Sequence, residues 1–469
     1  MVPVPEKVRN LAAAVRDACG RGLLVGGCVR DPLMGIQPKD WDLEVYGVEP
    51  ARLRALLDSF GPVNVVGEAF TVYKVGPDLD VSLPRRERKS GSGHRGFVIE
   101  GDPSMSFEEA SRRRDFTINA ILQDPLTGEV IDSFNGRQDI VERKLRAVSS
   151  ETFAEDSLRV LRAAQFAARF DFQIDPETVE LCRSIDMTDL PPERIWGELE
   201  KLLLLAQQPS VGINWLQELG VIDQLFPELK ALIGVPQDPE WHPEGDVFIH
   251  TKLAVDRARE LIDDLPYPKQ VAVMLATLGH DFGKPATTEF IDGRIRSRGH
   301  EEAGVSPTET FLDRVNIHTL GGYDVRAQVI ALVRDHLKPG EFFKKREEVG
   351  DGAFRRLARK CELDLLYRVA KADSLGRNSK DAPREKWYDA EAQEWFIQRA
   401  RELEVLQRAP EPLLMGRHLL AMGLQPGPRI GEITKAVYEM QLDGRVASLD
   451  DAKSAAKTIL STDYTDYTD

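Results

Sequence analysis

The chain has 469 residues and a formal net charge of −15; 42% of its residues are hydrophobic and 30% are charged. This length exceeds one ordinary domain core, and the composition is that of a globular protein rather than of a disordered or fibrous chain. No apolar run reaches the ~18 residues of a membrane span, the N-terminus lacks a signal-peptide layout, and no two of the four cysteines have CxxC spacing. We therefore expect a cytoplasmic protein with no membrane partner and no zinc ribbon.

The negative net charge argues against a general nucleic-acid coat, but the basic residues are clustered. One segment carries a single acid, Glu87, among five basic residues: Arg85, Arg86, Arg88, Lys89 and Arg95. The basic runs SRRRDF and VERKLR come soon after it in the chain. An acidic protein can bind RNA phosphates through clusters of this kind.

The hydrophobic pattern changes along the chain. Residues 6–20 predict a helix, and LLVGG, DWDLEVYG, VNVVGEAFTVYKV and LDVSL predict short strands. From about residue 151 onward, apolar residues recur at helical spacing. The sequence therefore predicts an α+β fold with a small mixed sheet in residues 1–150, followed by all-helical domains at 151–238, 239–385 and 386–469, the last with a disordered C-terminus.

A glycine turn lies between the first predicted strand and the next helix. Gly26 and Gly27 would let backbone N–H groups approach a phosphate at the helix N-terminus. Arg30 could add a charge-assisted contact. A two-glycine turn is weak evidence by itself, so its interpretation as a phosphate site depends on the neighbouring motifs.

The next strand carries paired carboxylates. Strand periodicity in DWDLEVYG places Asp40 and Asp42 on one face. Two carboxylates this close repel each other unless a cation lies between them, and a hard oxygen site suits magnesium and the phosphates that it bridges. Asp80, in LDVSL, could add a third carboxylate from a neighbouring strand. The pattern predicts a catalytic magnesium site.

These motifs resemble a known family. GGCVRDPLMG followed by DWDLEVYG is similar to the catalytic head of the class II nucleotidyltransferases, which include bacterial tRNA CCA-adding enzymes and poly(A) polymerases. The resemblance continues in order through SRRRDFTINAI, VIDSFNGRQDIVERKLRAV, EDSLRVLRAAQFAARF and PPERIWGELEKLL. It implies a nucleotidyltransferase head at 1–150 and a helical neck and body at 151–238 that select the nucleotide and bind RNA. The implied partners are CTP, ATP and the acceptor arm and 3′ end of tRNA.

The resemblance also implies residue roles. Asp40 and Asp42 would hold two magnesium ions, and Asp80 would be the third catalytic carboxylate. The residues implied to contact the nucleotide are Gly27, Arg30, Arg113, Arg114, Asp115, Asn119, Asp156, Arg159 and Arg162.

The EDxxR helix suggests how bases are chosen. Asp156 and Arg159 are three residues apart, so we expect them on one helical face. A carboxylate accepts from an exocyclic amine and a guanidinium donates to a ring acceptor, a combination that C and A satisfy and that U and G do not. By resemblance, Glu155 orients the arginine and Arg162 faces the phosphates.

The basic segment RRERKSGSGHRGF resembles the flexible loop of full CCA-adding enzymes. Family members that add only CC have lost much of this loop, so its presence argues against a CC-only enzyme. Enzymes that add only A keep such a loop, and this alternative stays open.

The second half of the chain contains ordered histidines and aspartates, which are preferred ligands of transition metals. They are His250, His280, Asp281, His300, His336 and Asp373. LGHDFGKP after an apolar helix resembles the HD-superfamily phosphohydrolases, and WHPEGDVFIHT resembles the HD domain fused to gammaproteobacterial CCA enzymes. The resemblance implies that residues 239–385 bind a divalent metal such as Ni²⁺ or Mn²⁺ through His250, His280, Asp281 and Asp373, with His300 and His336 as an additional site. It also implies phosphatase, 2′-nucleotidase and 2′,3′-cyclic phosphodiesterase activities, with Lys284 as a phosphate contact.

Several alternatives are compatible with the sequence. A poly(A) polymerase shares the head motifs, although the acidic composition leans against processive binding of long RNA. An HD phosphohydrolase whose head only binds RNA is an alternative of another class, which the intact carboxylates argue against. The HD domain could also be catalytically silent, and the chain could be a monomer or a homodimer.

Overall fold

The computed structural model describes residues 3–66, 72–89, 97–378 and 388–465. The chain divides into two compact units, Met1–Pro227 and Glu228–Asp469. The finer division into four domains stays a prediction. The centre of the predicted flexible loop, residues 90–96, lies outside the described residues.

The first unit combines a mixed sheet with helices. Its strands are β1 (Arg21–Val25), β2 (Trp41–Tyr46), β3 (Val63–Val66), β4 (Val72–Val75), β5 (Leu79–Ser82), β6 (Arg85–Lys89), β7 (Phe97–Gly101), β8 (Leu122–Gln123), β9 (Val130–Ile131), β10 (Lys144–Leu145) and β11 (Gln173–Ile174). Its α-helices are α1 (Glu6–Asp17), α2 (Gly27–Leu33), α3 (Pro50–Leu57), α4 (Phe107–Arg112), α5 (Gly136–Val141), α6 (Ser150–Phe153), α7 (Leu158–Phe170), α8 (Pro176–Arg183), α9 (Pro192–Leu205), α10 (Pro209–Glu218) and α11 (Val221–Leu225).

Alternate side chains of β2 point to opposite faces of the sheet, one toward the hydrophobic core and the other toward the predicted magnesium site. The seven-stranded sheet has the order β3-β4-β5-β2-β1-β8-β9, and β2 runs parallel to β5. Trp41, Leu43 and Val45 are buried in the core cluster that also contains the apolar face of α1. Because successive side chains of a strand point to opposite faces, Asp42 lies on the other face, and the register pairs it with Asp80 of β5.

The second unit is mostly helical. Its α-helices are α12 (Pro227–Leu232), which begins at the boundary, α13 (Val247–Glu260), α14 (Tyr267–Gly279), α15 (Lys284–Thr287), α16 (His300–Ala303), α17 (Val305–Arg314), α18 (Val325–Asp335), α19 (Lys338–Lys344), α20 (Asp351–Leu357), α21 (Leu363–Gly376), α22 (Glu391–Glu402), α23 (Gly416–Ala421), α24 (Pro428–Leu442) and α25 (Leu449–Thr465). Two hairpins interrupt them, β12 (Thr288–Ile291) with β13 (Arg294–Ser297) and β14 (Thr319–Leu320) with β15 (Tyr323–Asp324).

The α+β class is confirmed by the mixed sheet and the long helical region. The short strand pairs after residue 143 were not predicted by helical spacing. The sequence contains a signal for the turn between β12 and β13, the Asp-Gly pair Asp292–Gly293. Both residues adopt positive φ (53° and 75°), as this pair does in two-residue hairpins. Within the described residues, no helix combines the length and the apolar character that crossing a bilayer requires.

Candidate active sites

A cavity of about 400 Å³ in the first unit is lined by most of the residues that were predicted to form the nucleotide site. The predicted residues that line it are Asp42, Arg113, Arg114, Asp115, Asp156, Arg159 and Arg162. Lining residues that no sequence motif assigned to this site include Glu44, Arg85 and Arg194. The cavity therefore combines carboxylates with several guanidinium groups, as a pocket for a metal-bound triphosphate would require.

Asp42, which lines this cavity, interacts electrostatically with Asp40 and Asp80. Burial raises the pKa of Asp42, and the nearby charges of Asp80 and Asp40 raise it further, against the opposing effect of Arg114. Asp40 precedes β2 by one residue and its charge acts on Asp42, so the prediction that both carboxylates lie on one face stays a prediction. Asp80 lies 3.6 Å from the ammonium of Lys74. Carboxylates whose negative charges act on one another in this way favour a bound cation.

Glu44 is a site residue that sequence reasoning missed. It lies two residues beyond Asp42 on the same face of β2 and is 9% exposed. Its Oε1 accepts a hydrogen bond from Arg114 at 3.1 Å and its Oε2 accepts one from the Tyr46 hydroxyl at 2.5 Å. Glu44 thus fixes the guanidinium that borders Asp42, and the period-two pattern of DWDLEVY could have identified it.

The glycine turn brings the backbone close to this charge cluster. Gly26 has φ 69° and ψ −132°, a conformation that favours glycine. A Cβ built on Gly26 would lie 3.8 Å from a nitrogen of Arg114 and 3.9 Å from an oxygen of Asp42. Gly27 begins α2 directly behind this turn. Its predicted phosphate contact stays a prediction.

Arg30 lies outside the cavity lining, in a buried network. Its guanidinium is 2.5 Å from Asp31, donates to Asn119 Oδ1 at 2.6 Å and packs over the rings of Phe166 and Phe170 of α7. In this structure Arg30 therefore ties α2 to α7. The predicted contacts of Arg30 and Asn119 with the nucleotide stay predictions.

Asp115 continues this network to the cavity wall. It accepts from Asn119 at 2.9 Å and lies 2.6 Å from the guanidinium of Arg162, which in turn is 3.7 Å from Glu198. Burial by itself would raise the pKa of Asp115, but the charge of Arg162 and the hydrogen bonds lower it below its ordinary value. Asp115 is therefore a buried anion that orients Arg162 toward the cavity.

Asp156 and Arg159 meet in the cavity, but for a different reason than predicted. Asp156 precedes α7 and its carboxylate accepts from the backbone N–H of Leu158 at 3.1 Å, so the two residues do not share a helical face. A turn holds them together, because the Arg159 N–H donates to the Asp156 carbonyl at 3.0 Å. The guanidinium of Arg159 donates to the backbone carbonyls of Thr152 and Arg113 at 2.5 and 2.7 Å.

Glu155 has a different partner from the predicted one. Its carboxylate accepts from Arg113 at 2.8 Å. The predicted role of Glu155 was to orient Arg159, and the structure instead gives that role to two backbone carbonyls. Glu155 therefore orients a different arginine of the same cavity.

In the second unit the structure brings the six predicted metal ligands together. His250 lies in α13, His280 and Asp281 follow α14, His300 begins α16, His336 follows α18 and Asp373 lies in α21. The Nε2 atoms of His250 and His280 are 3.3 Å apart, and so are those of His300 and His336. Asp373 Oδ1 is 3.1 Å from His250 Nε2. Ligand groups for a metal therefore form around each histidine pair.

The hydrogen bonds of these histidines show which ring nitrogens carry a proton. The Nδ1 atoms of His280, His300 and His336 each lie 2.7 Å from a backbone carbonyl three residues earlier in the chain. A carbonyl can only accept, so each Nδ1 donates and each neutral ring presents an unprotonated Nε2. The Nε2 atoms of His300 and His336 are thus two acceptors that face each other at 3.3 Å, and they repel each other unless a cation lies between them. The donor set therefore fits a divalent metal.

Asp281 lies between the two histidine pairs. Its Oδ2 is 3.2 Å from His280 Nε2, and its Oδ1 is 3.4 Å from His300 Nε2. The buried Oδ2 makes no hydrogen bond of good geometry to the described residues, although Lys284 Nζ lies 2.8 Å away. Burial would raise the pKa of Asp281, but the positive charge of Lys284, together with that of His280 whenever its ring is protonated, holds this pKa well below its usual range. The carboxylate thus faces both pairs as an anion.

Glu244 is a second residue that sequence reasoning missed. Its fully buried carboxylate is 2.7 Å from Nδ1 of His250 and 2.9 Å from Nδ1 of His242. Burial would raise the pKa of Glu244, but the hydrogen bonds from the two histidines lower it to about 2. Glu244 therefore turns Nε2 of His250 toward the ligand cluster. The acid six residues before the histidine in WHPEGDVFIH was the available signal.

Glu244→Gln should weaken divalent metal binding by about 10- to 100-fold, because outer partners of a ligating histidine set its tautomer and orientation. Isothermal titration of the metal-depleted protein with Mn²⁺ measures this change. Glu240→Gln, which alters an exposed acid paired with Arg294, is the matched control and should bind as the wild type does. Equal affinity in Glu244→Gln would contradict the orienting role.

A second cavity of about 800 Å³ opens onto this cluster. Asp281, His300, His336 and Asp373 lie in its wall. Its other lining residues include the cations Lys284, Lys344 and Arg377 and the aromatic residues Trp241, Phe343 and Tyr388. Cations beside a metal cluster suit a phosphate, and aromatic rings suit a base or another flat group.

The comparisons with known proteins agree with this architecture. Residues 23–146 match the family described as the Poly A polymerase head domain, and residues 171–233 match the probable RNA and SrmB-binding site of polymerase A. A solved structure of the Bacillus stearothermophilus CCA-adding enzyme in complex with CTP has a TM-score of 0.64 at 19% identity, covering 98% of this chain and 100% of that one. This likeness shows a shared fold.

Two curated relatives extend over most of the chain. The multifunctional CCA protein of Xanthomonas campestris pv. campestris is 37% identical over 444 residues, covering 92% of this chain and 98% of that protein. The multifunctional CCA protein of Stenotrophomonas maltophilia is 38% identical over 378 residues, covering 77% and 88%. The chain belongs to the family of multifunctional CCA proteins.

Proposed function

We propose that this protein is a CCA tRNA nucleotidyltransferase, which adds C, C and A to the 3′ end of tRNA from CTP and ATP without a nucleic-acid template. The observation that carries the proposal is one cavity that contains both an acid cluster around Asp42 and the Asp156–Arg159 pair. The acid cluster suits metal-dependent phosphoryl chemistry, and the Asp156–Arg159 pair suits base selection. The family relationship supports the same activity.

The residues around Asp42 would serve the triphosphate. Asp42 with Asp40 and Asp80 would hold magnesium, which supplies positive charge to the triphosphate and to the attacking 3′-hydroxyl. Arg114, fixed by Glu44, lies beside these carboxylates and can bind a phosphate oxygen. The chain itself therefore orients the triphosphate and neutralises part of its charge.

The residues around Asp156 would select the base. Its carboxylate can accept from the exocyclic amine of cytosine or adenine, and Arg159 can donate to the neighbouring ring acceptor. Uracil and guanine present a carbonyl oxygen where the amine would be, and Asp156 repels it. Arg162, held by Asp115, and Arg113, held by Glu155, add positive charge along the same wall.

The deciding experiment supplies tRNAs that end before CCA, after the first C and after CC, with CTP and ATP given separately. The proposal expects CMP to be added to the first two tRNAs and AMP to the third. Addition of AMP alone would identify an A-adding enzyme. Long A tails on unrelated RNA would identify a poly(A) polymerase.

Asp156→Ala should lose selection against UTP and GTP. The substitution removes the acceptor for the amine and the repulsion of the carbonyl oxygen, and a hydrogen bond to a charged group contributes roughly 1.5–3 kcal/mol, or about 10- to 100-fold in discrimination. Catalytic efficiencies for single additions of all four triphosphates measure the effect. If Asp156 only formed a structural ion pair, the variant would lose stability and keep its preference for CTP and ATP.

The second unit supports a second activity, divalent-metal-dependent hydrolysis of phosphate esters. The specific observation is that the Nε2 atoms of four histidines, His250, His280, His300 and His336, lie in one cluster with Asp281 and Asp373. These side chains would hold nickel, manganese or another divalent ion, which supplies Lewis acidity toward a phosphate ester. His300 and His336 would extend the site to a second ion, with Asp281 shared between the two.

The substrates of this second site would be small phosphate esters of the type found at RNA ends. Lys284 and Arg377 place positive charge in the cavity wall for the phosphate, and Tyr388 and Trp241 offer flat apolar surface for the base. We therefore assign to it 2′,3′-cyclic phosphodiesterase, 2′-nucleotidase and phosphatase activity. Failure of the metal-loaded protein to hydrolyse any of these substrates would leave a structural metal site.

A further inference from the structure

An ion pair lies at the base-selecting end of the first cavity. The guanidinium of Arg194 donates to Oδ2 of Asp156 at 2.8 Å, and both residues line the cavity. Arg194 is the third residue of α9, within the segment that matches the RNA-binding family, whereas Asp156 precedes α7. The pair therefore joins two elements that are distant in sequence.

The position of Arg194 is unfavourable unless it has an anionic partner. The first turn of a helix carries partial positive charge and prefers acidic residues, which Glu193 satisfies and Arg194 does not. Side chains of Arg194 and Asp156 are 39% and 32% exposed, and an ion pair this accessible contributes little to stability. Stability alone is therefore a poor account of an arginine at this place.

The contacts of Asp156 show what Arg194 can do. Oδ1 of Asp156 accepts from the Leu158 N–H, and Oδ2 accepts from Arg194, so the carboxylate is held from two sides. Each carboxylate oxygen has two acceptor positions, so an oxygen that is held by one donor can also accept from an exocyclic amine. Arg159 is fixed separately by backbone carbonyls. Arg194 thus sets the angle at which the acceptor of the base-reading pair meets the base.

We propose that Arg194 is a positioning residue for base selection, which orients the Asp156 carboxylate toward the exocyclic amine of the incoming nucleotide. This inference rests on the proposed nucleotidyltransferase function and extends it to a residue of the RNA-binding segment. It makes α9 part of the nucleotide-reading site.

The charge of Arg194 has a second consequence. Burial would raise the pKa of Asp156, but the hydrogen bond and charge of Arg194 lower it, helped by the Leu158 N–H and the charge of Arg159. Arg162 is a further cation that interacts with Asp156 across the cavity. Removal of Arg194 should raise the pKa of Asp156, so that its carboxylate becomes protonated at a higher pH than in the wild type. A protonated carboxyl no longer repels the carbonyl oxygen of uracil.

The test compares Arg194→Met, Arg194→Gln and Arg194→Lys with the wild type in single additions of all four triphosphates. We expect Arg194→Met to lose about tenfold in the preference for CTP over UTP, because a displaced acceptor reads the base poorly. In the pH profile of CTP addition, the acid limb, where activity falls as Asp156 becomes protonated, should move to higher pH. Arg194→Lys should retain most of the wild-type selectivity and keep the acid limb near its wild-type pH. Arg194→Gln should retain only part of the selectivity.

The control is Arg54→Met, which removes another arginine of the first unit that is 40% exposed and paired with an acid. It should match the wild type in selectivity and in pH profile. Equal losses for all four triphosphates in Arg194→Met, with an unchanged preference and an unchanged acid limb, would overturn the proposal and leave a structural ion pair. Faster CTP addition in Arg194→Met would also overturn it, because Arg194 would then block Asp156. A wild-type protein that adds no nucleotide would overturn the underlying function itself.

Discussion

Asp42→Asn should abolish nucleotide addition, with a loss of at least about 10³-fold in kcat/KM. A metal ion at a phosphoryl-transfer site contributes several kcal/mol, and each ~1.36 kcal/mol is a factor of ten in rate. Asp42 is the carboxylate on which the charges of Asp40, Asp80 and Arg114 converge. Single-turnover addition of CMP to a tRNA that ends before CCA measures the loss.

The same substitution should leave the fold intact. Because the pKa of Asp42 is raised in the folded protein, its charged form is destabilised there, and removing the charge should raise Tm at about pH 7 in the absence of divalent metal. The gain should disappear below the ordinary pKa of an aspartate, where the carboxyl is protonated in both the folded and the unfolded state. Asp17→Asn, an exposed acid of α1, is the control and should keep full activity. Retained CMP addition by Asp42→Asn would exclude Asp42 from catalysis.

His280→Ala combined with Asp281→Asn should reduce metal-dependent hydrolysis of a 2′,3′-cyclic phosphate to background, by about 10³-fold or more. The double change removes a ligand from one histidine pair and the carboxylate that faces both pairs. Nucleotide addition should stay near the wild-type rate, because its site lies in the other compact unit. Both activities are measured on the same preparation.

A second measurement separates binding from chemistry. Metal analysis of the purified variants should show a lower content of divalent ion in the double variant than in the wild type. His318→Ala changes an exposed histidine of the same unit and should keep both the metal and the hydrolysis. Full metal content and full hydrolysis in the double variant would show that the cluster is not the hydrolytic site.

Strong local patterns were enough to predict much of both sites. The alternation in DWDLEVYG places Asp42 on the face opposite Trp41, because the strand period is two. The order of the histidines and aspartates in the second half predicted a metal cluster, and all six residues converge in the structure. Their convergence could be predicted because buried histidines and aspartates are tolerated mainly where they have partners, whereas metal binding by the cluster stays a prediction.

Other features depend on contacts between distant segments. The pairing of Asp42 with Asp80 needed the parallel register of β2 and β5, and the ion pair of Asp156 with Arg194 needed α9 to pack beside the start of α7. Arg30 became part of a buried network because α7 brings Phe166 and Phe170 over its guanidinium. Sequence spacing contains no information on any of these distances.

The sequence by itself determined the α+β class, the acid pair with its glycine turn, and which histidines and aspartates would form a cluster in the second unit, because these follow from local periodicity and side-chain chemistry. The tertiary structure alone decided how these side chains are oriented. Glu244 turns His250, and backbone carbonyls at the ends of α14 and α18 turn His280 and His336. Each of these hydrogen bonds needs a partner whose position is fixed by helix ends and packing, and a linear pattern does not encode that geometry.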